Sequence, residues 1–188
     1  MLKNTIQSSI EQCKNRLIGA VILMISVYFF QSIHSLLFVI SSPSLLPSGY
    51  HNEFITYAIC SEAISSFVPI IAVLPFASSY VDDLKSKFSC FFLIRCSYRT
   101  YIVSRIIVCF LAGGLAILSG ALIAWGTTAA VLIPIEREIG GAEPAAIDSV
   151  IEICFLLFLN GGFWSVVGMA MSTLMESKYI SYATPFVL

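Results

Sequence analysis

The stretch Tyr80–Arg105, YVDDLKSKFSCFFLIRCSYRTYIVSR, holds five of the ten Lys and Arg residues and stands between two long apolar runs. Runs this apolar on both sides read as membrane-embedded, so the charged segment is a loop or surface helix presented at one face of a bilayer. The composition agrees. With 58% hydrophobic and 11% charged residues over 188 positions, a soluble domain is excluded and an integral membrane protein is indicated. A bilayer core takes about 20 apolar residues per helix. Charge-poor stretches of that length occur at residues 17–40, 54–79, 101–133 and 151–174. The expected fold is an all-α, polytopic membrane protein with four spans.

The sign of the loop charges sets the orientation. Lys3, Lys14 and Arg16 precede the first span, Lys85, Lys87, Arg95, Arg99 and Arg105 separate the second and third, and Lys178 follows the fourth. The other two loops carry Arg137 against Glu53, Glu136, Glu138, Glu143 and Asp148. Nine of ten basic residues therefore fall on alternate loops. The positive-inside rule puts the N-terminus and the Tyr80–Arg105 loop in the cytoplasm, in a multi-pass protein of the cell membrane.

Within residues 1–16, Leu2, Ile6, Ile10, Cys13 and Leu17 recur at helical spacing, within an arc of about 80°. An interfacial helix on the inner leaflet is expected before the chain enters the membrane. The six cysteines, at 13, 60, 90, 96, 109 and 154, lie in expected spans or cytoplasmic stretches, so no disulfide is expected. Asp148 is placed to cap the fourth span. Gly113, Gly114, Gly120 and Gly126 in the third span, and Gly161 and Gly162 beside Asn160 in the fourth, read as close helix-packing faces. The final YISYATPFVL, residues 179–188, reads as the start of a fifth span, and an incomplete chain is expected.

Glu62 is the clearest carboxylate inside a span, where an ionisable group costs about 2.5–3.5 kcal/mol unless paired or hydrated. At about 1.5 Å per residue it lies roughly 12 Å deep and His34 roughly 9 Å, so the two meet if their helices are neighbours. Gln31 is a second candidate partner. Pro69 and Pro75 further along the same span are expected to kink it. Gln31, His34, Glu62 and Pro69 are thus candidates for a substrate pathway, with a structural interhelical contact as the alternative.

Enzyme constellations are missing from the sequence. There is no HExxH, GxSxG or GxxxxGK[ST], and His34 and His51 are the only histidines. The chain has no phosphate-cradling loop with which to bind ATP, and no cofactor is expected in it.

The order LPFASSYVDDLKSKFSCFFLIRCSYRTYIVSR, with Asp82 and Asp83, then Lys85 and Lys87, then aromatics, then Arg95 and Arg99-x-Tyr101, resembles the loop between the second and third spans of ABC-2-type ATP-binding-cassette transporter permease subunits. It departs from them in carrying Ser86 and Lys87 where a glycine often stands. The resemblance implies six spans, a coupling helix within residues 80–100, and a separate cytoplasmic ATPase that holds ATP and Mg. It also implies a second permease copy or homologue, and usually export. Leu84, Phe88, Phe91 and Phe92 fall within about 100° if helical, an apolar face rimmed by Asp82, Asp83, Lys85, Lys87 and Arg95. Arg95, Arg99 and Arg105 also suit anionic inner-leaflet lipid. No nucleic-acid partner is expected. The alternative is a non-transporting immunity factor or assembly scaffold that uses the loop for a cytosolic or lipid partner.

Overall fold

A computed structural model describes residues 2–41, 47, 49–75, 81, 98–136 and 145–187. Among them there are helices and no strands: α1 (Leu2–Ser41), α2 (Tyr50–Ile59), α3 (Glu62–Val73), α4 (Tyr98–Leu132), α5 (Ala145–Leu174) and α6 (Lys178–Val187). Three stretches are long and apolar enough to cross a membrane, namely Lys14–Ser41, Arg99–Leu132 and Asp148–Leu174. A fourth exists if α2 and α3, bent by 66°, count as one span. Three of the four expected spans thus coincide with uninterrupted helices, and the expected second span coincides with the bent pair.

Two expected boundaries move. No proline interrupts residues 2–41, and the helix continues without the expected turn at Leu17. At about 1.5 Å per residue it is some 60 Å long, twice the thickness of a bilayer core. Asp148 lies in the first turn of α5 instead of at its cap. There the positive end of the helix dipole still favours a carboxylate.

The centre of the fold is α4. Half of its apolar window is buried, against 22% for that of α1 and 17% for that of α5. It packs most extensively against α5 and next against α1. The α4–α5 contact depends on glycine: a Cβ on Gly113 would overlap the Ser165 side chain and stand 2.7 Å from the Gly161 carbonyl oxygen. Gly114 faces Phe158, Gly162 faces Phe110, and those two rings meet edge to face at 5.7 Å. The packing faces expected from these glycines are present, except that a Cβ at Gly126 would meet nothing.

Contact register fixes direction. Met24 lies against Gly120 and Tyr28 bonds Thr128, so α1 and α4 run parallel. Gly113 meets Gly161 while Cys109 meets Ser165, so α4 and α5 run antiparallel. The main core joins Met24 and Tyr28 of α1, Ile55 of α2, Ile64 and Ile71 of α3, and Ile117 of α4.

Candidate functional site

The break between α2 and α3 is built from local hydrogen bonding. Ser61 adopts an extended backbone, φ −63° and ψ 147°, and its hydroxyl oxygen accepts the amide of Ile64 at 3.5 Å. A serine that offers its side chain to the backbone gives the chain an alternative to continuing the helix. The break between α2 and α3 therefore falls at Cys60–Ser61, before Glu62. Pro69 lies inside α3, which ends at Val73.

Glu62 consequently opens a half-helix. Its carboxylate lies in the first turn of α3, where the unsatisfied amides carry partial positive charge. It is exposed, as are Ser65 and Ser66 one turn on, and the Ser66 hydroxyl donates to the Glu62 carbonyl at 2.8 Å. Pro69 has no amide hydrogen, so the Ser65 carbonyl lacks its helical donor. Positions 62, 65, 66 and 69 share one face, and the result is a polar strip on α3. The opposite face, Ile64, Val68, Ile71 and Ala72, is fully buried.

Gln31 and His34 do not join this strip. In α1 the buried residues are Ala20, Met24, Tyr28, Ser32 and Leu36, at steps of four. Gln31 and His34 lie off that stripe and are exposed. Although α1 and α3 are in contact, no hydrogen bond or ion pair links Glu62 to either residue. Asp82, Asp83, Lys85, Lys87, Phe88, Phe91, Phe92 and Arg95 lie outside the described residues.

A different acid meets a histidine. Glu136, just past the end of α4, accepts the backbone amides of Gly49 at 3.1 Å and His51 at 2.7 Å. Its two oxygens also lie 3.0 and 3.1 Å from His51 Nδ1, which must carry the proton to donate to a carboxylate. The pair is largely buried, with side chains 15% and 8% exposed. One carboxylate thus caps the start of α2 from the far end of α4, a charge-assisted contact. Gly49 makes the approach possible with φ 87°, a left-handed conformation that suits glycine. Three residues past Gly49, Asn52 accepts the Trp125 indole N–H at 3.0 Å, a second tie to α4.

None of the protein-family models, curated proteins or solved structures compared with the chain matches it. The chemistry of the site must therefore be read from its own residues. A half-helix start bearing an exposed carboxylate and two hydroxyls can hold water, accept hydrogen bonds or attract a cation. No group of three or more His, Cys, Asp or Glu suited to a metal ion occurs among the described residues. Sequence reasoning found Glu62 from its hydropathy context and missed Glu136, which sits 85 residues from His51. The available signal was topological: on a four-span count both loops lie at the same end.

Proposed function

We propose that this chain is the permease subunit of an ABC-2-like exporter, with four spans of which the second is broken. It forms part of a translocation path and takes its energy from a separate cytoplasmic ATPase. The observation that carries the reading is the exposed polar strip at the break, headed by Glu62. An ionised carboxylate facing hydrocarbon costs about 2.5–3.5 kcal/mol. Broken backbone at membrane depth is tolerated only against protein or a water-filled cavity. Interrupted helices with their half-helix ends turned to the cargo are a recurrent way to build such a path. The strip is thus the side of α3 that meets water, cargo or a second copy.

The energy input is read from the loop. Phe88, Phe91 or Phe92 supplies an apolar anchor, rimmed by Asp82, Asp83, Lys85, Lys87 and Arg95, which suits docking into a groove of the ATPase. Movement of that segment pulls on α3 and tilts it at the Cys60–Ser61 break.

Three measurements test this. In a background with the other five cysteines replaced by serine, a water-soluble maleimide should label Cys60, which is exposed beside Glu62. Glu62→Ala should lower export while the chain still inserts. Tagged full-length protein should bring down an ATPase, and Phe88→Asp or Arg95→Glu should break that association. An unlabelled Cys60 would remove the path, and no co-purified ATPase would remove the coupling.

A further inference from the structure

At the end of the bundle where α4 begins and α5 finishes, the two helices leave a groove of about 320 Å³. Ile102 and Ile106 of α4 and Met169, Ala170 and Leu174 of α5 form its apolar walls. Arg105 also lines it, almost fully buried, with its guanidinium carbon 5.3 Å from the Tyr101 ring centroid. Thr173 completes the lining, and its hydroxyl is spent on the Met169 carbonyl at 2.7 Å. The groove opens outward, since Ile106, Ala170 and Leu174 are all exposed.

A further cation lies one helical turn beyond the lining. Arg99 lies three residues before Ile102 and seven before Ile106, on the same face of α4 and one turn nearer the helix start. It is exposed and makes no hydrogen bond or ion pair among the described residues. Glu176, exposed in the turn that follows α5, does not neutralise it.

We propose that this groove holds one acyl chain of an anionic phospholipid whose phosphate is bound by Arg99. The walls are hydrocarbon and an exposed cation without an ion pair among the described residues lies one turn beyond them, which suits an occupant with an apolar body and one anionic end. The cavity is at the lower end of the roughly 300–1,000 Å³ range of ligand sites, which suits a slender chain of methylenes. Basic pockets between membrane helices are established places for acidic lipid headgroups, and Arg99 supplies the charge at the level where α4 meets the headgroups. Arg105 is a wall of the groove and braces it through Tyr101. The inference rests on the membrane-spanning reading of α4 and α5, and not on transport.

The test uses the full chain in nanodiscs of equal phosphatidylglycerol and phosphatidylcholine, with retained lipids counted by native mass spectrometry. Wild type should keep one phosphatidylglycerol in preference to phosphatidylcholine. Arg99→Gln should lower that retention about fivefold, the effect of one cation beside an anionic headgroup. Ala170→Phe, which fills the groove, should lower retention of either lipid. Lys14→Gln, an exposed cation on α1, should leave retention unchanged. Equal retention by wild type, Arg99→Gln and Ala170→Phe overturns the site. An equal loss in Lys14→Gln overturns it too, by showing diffuse surface charge. If Ala170→Phe instead disperses a dimer, a second copy occupies the groove and the lipid is excluded. Failure of the chain to enter nanodiscs at all would strike at the membrane-spanning reading itself.

Discussion

Replacing Gly113 by alanine tests the α4–α5 contact on which the bundle depends. The added Cβ would overlap the Ser165 side chain and lie 2.7 Å from the Gly161 carbonyl oxygen, where ordinary contact begins at 3.4 Å. The helices must therefore part by at least about 0.7 Å, the difference of those two distances. Overpacking of this kind costs about 1–3 kcal/mol. Alanine in a helix recovers about 0.8–1.0 kcal/mol relative to glycine, so the net loss should be about 1 kcal/mol. Gly126→Ala provides the comparison within the same helix: its Cβ meets nothing within 4 Å. That variant should be neutral or up to about 1 kcal/mol more stable. Because the propensity gain is common to both, the difference between the two variants isolates packing, at about 1–3 kcal/mol. Reversible unfolding in mixed micelles, followed by circular dichroism, reads it. Two variants of equal stability would refute the close α4–α5 approach.

Other contacts give sharper single-site expectations. Glu136→Ala should destabilise the fold by about 1–3 kcal/mol, because the amides of Gly49 and His51 lose their acceptor. His51→Ala should cost less, since the two amide contacts survive; both are measured by thermal unfolding in detergent. Thr128 donates its hydroxyl to the Ala124 carbonyl at 2.9 Å, so Tyr28 must be the donor in their 2.6 Å bond. Tyr28→Phe should then cost about 0.6 kcal/mol, the average for a hydrogen bond between membrane helices, in the same unfolding assay.

What the sequence made legible followed from the bilayer itself. The thickness of hydrocarbon sets the length of a span, so α1, α4 and α5 were visible in composition alone. The glycines of α4 and α5 were equally legible, since in lipid only small residues let backbones touch. The break at Cys60–Ser61 was not. Proline is the strongest breaker by rule, and it drew the expected kink to Pro69 and Pro75, while the break is followed by Ser61, whose hydroxyl caps the start of α3. The pairing of His34 with Glu62 failed for a related reason: depth in the membrane gives height along a helix but not the direction in which a residue points. Tyr28 and Met24 claim the inward face of α1, which leaves His34 on the outside. The Glu136 cap required two loops to be brought together, and no local pattern records that.

The central place of α4 bears on how the protein is made. Tyr28 needs Thr128, Asn52 needs Trp125 and the amides at the start of α2 need Glu136, so α1 and α2 each complete their polar contacts on a helix synthesised after them. On the membrane-spanning reading, the first half of the molecule enters the membrane with these groups unsatisfied, and they wait until residue 136 has emerged from the ribosome. Biogenesis therefore has a vulnerable interval whose length is set by the rate of translation through α4. A stalled or truncated product would present those orphaned polar groups to the insertion machinery and to membrane proteases.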